Sequence, residues 1–211
     1  MGLFDFLKRG KKADKNVEPD SPCPFGYNTC WYAIKNETTQ TVIDKLHLKV
    51  LRESNWINGI AGCGSPPHFV FVSPPLDGYV FVININPDDE HEAVKKHAGS
   101  FGEFQYFGTQ RTVEYNAWAK FMDGKIIRSY CYLGERGEIT WCEGSITDEE
   151  VDLGFDVFPS STGELLSDDF NYQNLPNEED VLAIAKAWGV DTKFEEKTYE
   201  KGIGFTCKFT N

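Results

Sequence analysis

The sequence lacks the signatures of several common functional classes. It contains no G-x-x-x-x-G-K-[ST] loop, and its nearest glycine pattern, GIGFTC at 202–207, does not open a helix, so no nucleotide phosphate site is predicted. No run approaches the ~20 apolar residues that a membrane span needs. The apolar N-terminal stretch is too short for a signal peptide, and its charges follow it. We therefore expect a cytoplasmic protein with no cofactor.

Metal-binding patterns are also missing. None of the six cysteines forms a C-x-x-C pair, so no structural zinc site is expected. His91 and His97 imitate part of a zincin motif, but their six-residue spacing directs the two rings to different helix faces. The oxygen-rich stretch at 168–180 has Asn174 where a calcium loop requires glycine. The sequence thus predicts no metal site.

Charge is distributed unevenly along the chain. The net charge is −12, yet residues 1–12 carry +3 and residues 135–180 carry −13. A concentrated acidic region repels phosphate backbones, which disfavours nucleic acid, and it can steer a basic protein partner. An ordinary solvated face is the alternative. If the region binds, the candidate residues are Glu149, Glu150, Asp152, Asp168 and Asp169.

The first 22 residues differ in character from the rest. Residues 1–12 form a short amphipathic, basic stretch, and the polar segment that follows reads as a flexible linker, so we expect a tail and linker over 1–22 and a single domain over 23–211. Such a short helix is marginal alone in water. Its apolar residues could support weak docking on a membrane surface or on protein, or the tail could have no role. These residues are Leu3, Phe4, Phe6 and Leu7.

The pattern of apolar residues predicts an α+β fold. We expect eight or nine strands in a mostly antiparallel sheet, with a central three-stranded meander at about 112–143 and three or four helices packed on it. Residues 38–54 fit a helix through the spacing of their apolar positions, although their second half also alternates like a strand. Thr147 with Glu150 forms a capping box, and Asn177 is the expected cap of the last helix.

Asp123-Gly124 sets the register of the meander, because a type I′ turn needs positive φ at both central positions. This turn pairs Phe121 with Ile126, and a strictly alternating register then places Tyr130 and Tyr132 on the same core face as Tyr115. A second turn at 136–137 pairs Cys131 with Cys142. Cross-strand cysteines lie close to disulfide reach, but a cytoplasmic location favours thiols.

The opposite face of the meander is polar and carries the remaining candidates. Aromatic and charged side chains together suit a recognition surface or a cleft. If a helix covers this face instead, Glu114 must be paired, and Arg111 is its nearest candidate in sequence. The candidate binding residues here are Arg111, Glu114, Trp118 and Arg128.

One stretch resembles a family of uncharacterised bacterial proteins. The shared pattern is F-x-T-x-R-x-x-E-Y-x-A-W followed by G-x-x-x-R-x-Y-x-Y-x-G-E, and it implies no reaction. In size and acidity the chain is also similar to immunity proteins of bacterial toxin systems, which act by binding a toxin; that similarity transfers no residue. The positions matching the pattern are Thr109, Arg111, Glu114, Tyr115, Trp118, Arg128, Tyr130 and Glu135.

These observations favour a non-catalytic, immunity-like binding protein that uses residues 135–180 to bind a basic protein partner. No catalytic residue is assigned under this hypothesis. The alternative is a hydrolase or transferase with a cleft around Arg111, Glu114 and His68.

Overall fold

The computed structural model describes residues 17–62, 69–86, 91–164, 175–196 and 198–210. The candidates at Leu3, Phe4, Phe6 and Leu7, together with His68, Asp168 and Asp169, lie outside these ranges. None of the helices in the described ranges is long and apolar enough to cross a membrane.

A single antiparallel sheet of ten strands organises the described residues. Its spatial order is β2-β10-β3-β4-β1-β5-β6-β7-β8-β9, so β2 and β9 form its edges. In chain order the strands are β1 (Cys30–Lys35), β2 (Leu48–Ser54), β3 (Val70–Val72), β4 (Tyr79–Ile85), β5 (Glu103–Gln110), β6 (Tyr115–Met122), β7 (Lys125–Leu133), β8 (Glu138–Glu143), β9 (Gly163–Glu164) and β10 (Gly204–Phe209).

Helices cover both faces of this sheet and bury a separate apolar core on each. The first and third helices pack on one face, and the second, fourth and fifth pack on the other. The sheet-rich α+β prediction is thereby confirmed, whereas the expected three or four helices become five within the described ranges. They are α1 (Thr39–Lys45), α2 (Trp56–Ala61), α3 (Glu92–Ala98), α4 (Asp148–Asp152) and α5 (Glu178–Ala187).

The ambiguous segment 38–54 divides into both predicted structures. Thr38 caps α1, and the chain then passes through His47, whose φ is 51°, into β2. The missed helix, α2, begins after Asn55, whose side chain accepts a hydrogen bond from the backbone N–H of Asn58. Asp20 also accepts hydrogen bonds from the backbone N–H groups of Trp56 and Ile57. Six residues are too few to show a helical period, which explains the omission.

The meander is longer than predicted and lies toward one end of the sheet. Strands β5 to β9 pair in sequence order, so the run has five strands and not three. The Asp123-Gly124 turn forms with φ of 49° and 73°, and Phe121 pairs with Ile126 as expected. The remainder of the predicted register is wrong, because the pairing shifts between Lys120 and Phe121.

This irregularity moves several side chains to the other face. Trp118 pairs with Tyr130, and Cys131 pairs with Trp141. A one-residue shift exchanges the two faces of a strand. Tyr130 and Tyr132 therefore share a core with Trp118, while Cys131 joins the core of Tyr115. The expected pairing of Cys131 with Cys142 does not occur, and neither cysteine forms a disulfide.

Candidate functional site

A buried ion pair fixes α4 against the meander. Arg128 Nε donates to both carboxylate oxygens of Glu150, at 2.9 and 3.0 Å, and Trp118 Nε1 donates to Oε1 at 2.9 Å. The backbone N–H of Thr147 donates to Oε2 at 2.9 Å and completes the predicted capping box. Glu150 is 0% exposed and Arg128 is 5% exposed. Three predicted binding residues thus lie inside the protein, where they hold α4 in place.

Helices cover the polar meander face around Trp118, which is the second of the two sequence alternatives. The pairing of Glu114 with Arg111 that this alternative required does not occur, because Arg111 pairs with Glu178. Trp118 and Tyr130 stack with ring centroids 4.8 Å apart, and Phe155 packs beside them. Burial raises the pKa of the Tyr130 hydroxyl. This face therefore offers little open recognition surface around Trp118.

The part of the chain that contains α4 is nevertheless exposed on the side that faces solvent. We name residues 146–157 the acidic–apolar segment. Its large apolar side chains reach exposures of 47% at Val151 and 54% at Val157. Phe155 is buried beneath them, which anchors the segment's second half. The exposed apolar residues of the segment are Ile146, Val151, Leu153 and Val157.

Acidic side chains surround those apolar residues. Asp148, Asp152 and Asp156 are exposed, and no ion pair or side-chain hydrogen bond joins them to another residue that the structure describes. Glu149 of the predicted set is half-buried beside them. The structure thus leaves part of the acidic region available at the surface.

Other acids of the 135–180 region form hydrogen bonds or ion pairs within the protein. Glu143 pairs with Lys95 at 3.0 Å and accepts from Trp141 Nε1 at 2.8 Å. Burial opposes ionisation of Glu143, but the Lys95 and Trp141 hydrogen bonds lower its pKa overall. The exposed Glu179 accepts a hydrogen bond from Tyr27 at 2.7 Å, which raises the pKa of that phenol.

A second candidate site is a cleft at the far end of the same face. We name it the Asn116 cleft; it has a volume of about 480 Å³. It lies where β5 ends, β6 begins, β7 ends and α5 begins. The predicted Arg111 and Glu114 both line it. The cleft is also lined by Asn116, Tyr132, Leu175, Pro176 and Glu178.

Arg111 is paired across the cleft, but its partner is not Glu114. Its Nε donates to Glu178 Oε2 at 2.7 Å, and the backbone N–H of Asn28 donates to the other oxygen at 3.1 Å. The guanidinium also lies over the Tyr27 ring, 5.8 Å from its centroid. Glu178 is 67 positions from Arg111 in sequence, and no local pattern links them.

Glu114 is held in an uncommon backbone conformation at the entrance of the cleft. Its φ is 51°, a value that few residues other than glycine adopt. Gly134 lies against it so closely that a Cβ at that position would overlap the Glu114 carboxylate. The Gly134 N–H also donates to the Glu114 carbonyl at 3.2 Å. The end of β7 therefore fixes the position of this carboxylate.

Asn116 is a buried polar group of the cleft that is only partly satisfied. Its Nδ2 donates to the Pro176 carbonyl at 3.1 Å and more weakly to the Glu114 carbonyl at 3.4 Å. The side chain is buried, at 6% exposure for the residue, and its Oδ1 has no hydrogen-bond partner. An orphaned buried acceptor is costly unless something supplies a donor.

Sequence reasoning reached only part of this cleft. It selected Arg111, Glu114 and the polar strand that carries Asn116, but it placed Tyr132 on the opposite face and gave no role to Pro176 or Glu178. The register shift in β6 places Tyr132 on the face opposite to the predicted one. Only the tertiary fold brings the start of α5 to this position. Within the described ranges, no three His, Cys, Asp or Glu side chains are arranged to hold a metal ion.

The chain matches no protein-family model, no curated protein and no solved structure. The acidic–apolar segment and the Asn116 cleft are therefore the features of the molecule that bear on its function.

Proposed function

We propose that the protein is a non-catalytic binding protein of the cytoplasm whose acidic–apolar segment docks a basic protein partner. One observation carries this proposal: four large apolar side chains are exposed within residues 146–157, interleaved with unpaired acids. Scattered apolar residues are normal on a surface, but a concentration of them marks an interaction site. An acidic rim around apolar contacts is complementary to a basic partner with apolar side chains of its own.

The rigidity of the segment adds support. The capping box and the buried Arg128–Glu150 pair hold α4 from beneath, so the outward side chains need little further ordering when a partner binds. A fully buried valine contributes about 1.5–3 kcal/mol relative to an exposed one, so Val151 and Val157 are the strongest candidates for affinity. A toxin-masking role of the immunity type fits this chemistry as a narrower version of the proposal.

The test is capture of a partner from the native host with matched variants of the protein. Val151→Ser/Val157→Ser removes the apolar contacts, and Asp148→Lys/Asp152→Lys/Asp156→Lys reverses the charge. Glu150 is left intact because its reversal would disrupt the fold. The control reverses two exposed acids outside the segment, Glu195→Lys/Glu200→Lys.

We expect one basic protein to be retained by the wild type and the control and lost by both segment variants. Raising the salt concentration should weaken its retention, because exposed charges are screened. Capture of no protein, or retention of the same protein by both segment variants, would contradict the proposal.

A further inference from the structure

We propose that the Asn116 cleft is a binding site for a guanidinium group. The proposal is independent of the partner surface, since the cleft lies at the opposite end of β7 from Arg128 and α4. It rests on the hydrogen-bonding groups that the cleft leaves uncommitted, on its charge and on its walls.

Two acceptors of the cleft are uncommitted. The Glu114 carboxylate makes no ion pair or hydrogen bond with another residue in the described ranges, and Asn116 Oδ1 has no partner. Two neighbouring donors do not reach them, because Asn116 Nδ2 donates to Pro176 and Arg111 Nε donates to Glu178. A ligand that satisfies both acceptors must bring hydrogen-bond donors. A guanidinium carries five of them and no acceptor.

The charge of the cleft also favours a cation. Two carboxylates, from Glu114 and Glu178, face one guanidinium, that of Arg111. The N-terminus of α5 would attract an anion, but its first turn is Glu178, Glu179 and Asp180, which offsets the helix dipole. An anionic ligand would meet uncompensated carboxylates here, whereas a cation restores local neutrality.

The walls favour a guanidinium over an ammonium. Tyr132, Leu175 and Pro176 supply aromatic and apolar surface beside the polar groups. A guanidinium is planar, weakly hydrated and packs well on such surfaces, while an ammonium is strongly hydrated. The volume, about 480 Å³, falls in the range of small-molecule sites and also admits a single arginine side chain.

The decisive probes are butylguanidine, its neutral isostere butylurea, and butylamine, each titrated into the full-length protein and followed by calorimetry and backbone amide NMR. We expect butylguanidine to bind about tenfold more tightly than butylurea, because charge-assisted hydrogen bonds are about twice as strong as neutral ones. Butylamine should be the weaker of the two cations. Amide shifts should concentrate at residues 110–116, 132 and 175–178.

Two variants test the contributions of the two acceptors one at a time. Glu114→Gln keeps the shape and removes the charge, and it should abolish the preference for butylguanidine over butylurea. Asn116→Leu keeps the branched shape and removes the orphaned acceptor together with the Nδ2 donor to Pro176, and it should weaken both ligands; thermal melting checks that it folds. Glu53→Gln, an exposed acid on the edge strand β2, is the matched control and should leave all affinities unchanged.

Equal affinities for butylguanidine and butylurea would overturn the proposal, as would a Glu114→Gln variant that behaves like the wild type. Backbone amide shifts located outside the cleft would also overturn the proposal. A blocked Gly-Arg-Gly peptide distinguishes the source of the group: tighter binding than butylguanidine identifies an arginine in a polypeptide, and weaker binding identifies a free guanidine compound.

Discussion

The Arg128–Glu150 and Arg111–Glu178 pairs lie on the same side of the sheet, and their surroundings differ sharply. Arg128 and Glu150 have side-chain exposures of 6% and 0%, whereas Arg111 and Glu178 have 67% and 19%. Both pairs have good geometry, at 2.9 and 2.7 Å. Burial, and not distance, decides what each pair does: the first holds an element in place, and the second leaves its surroundings open to a ligand.

The difference follows from electrostatics. Two buried charges depend on one another, since neither can be solvated when its partner is lost. Two exposed charges retain most of their hydration and gain little from pairing. The buried pair supports the acidic–apolar segment from below, and the exposed pair borders the Asn116 cleft. Breaking each pair separately is therefore the clearest way to sharpen the comparison.

The largest effect is expected from Glu150→Gln. This change leaves the Arg128 guanidinium buried without a counter-charge, and it should lower the free energy of unfolding by about 3–5 kcal/mol. Urea denaturation measures this loss, with Glu149→Gln as the neighbouring control. If Glu150→Gln costs no more than its control, the pair does not hold α4.

An intermediate effect is expected from Gly134→Ala, which tests the packing at the cleft. The added methyl overlaps the Glu114 side chain, and overpacking of this kind costs about 1–3 kcal/mol. The double variant with Glu114→Gly should recover most of that loss, because it removes both the clash and the positive-φ strain. Urea denaturation of the single and double variants gives the coupling, and additive effects would show that the two residues do not interact.

The smallest effect is expected from Arg111→Ala. The Arg111 side chain is 67% exposed, so the free energy of unfolding should fall by less than about 1 kcal/mol. The Glu178 carboxylate keeps the hydrogen bond from the Asn28 N–H. The same denaturation assay applies, and a loss comparable to that of Glu150→Gln would remove the contrast between the two pairs.

Local signals in the sequence were sufficient for much of the fold. The predicted Thr147–Glu150 capping box and the predicted Asn177 cap both form, and the Asp123-Gly124 turn lies where its positive-φ requirement predicts. These features depend on neighbouring residues, so a sequence pattern can find them.

The failures at the candidate site involve long-range contacts. The shift between Lys120 and Phe121 has no local signature, yet it moves Tyr130 and Tyr132 to the other face. Glu150 lies within an acidic run and was expected to face a partner, because only the tertiary fold brings Arg128 to it. The capping box was its one local sign of a structural role.

The proposed contact of residues 146–157 with a basic protein partner can be tested directly. Hydrogen–deuterium exchange, compared for the free protein and its complex with the captured partner, tests this most directly. We predict slower exchange across residues 146–157 and unchanged exchange in the edge strand β2. Protection confined to β2, or to any region that excludes the acidic–apolar segment, would contradict the claim.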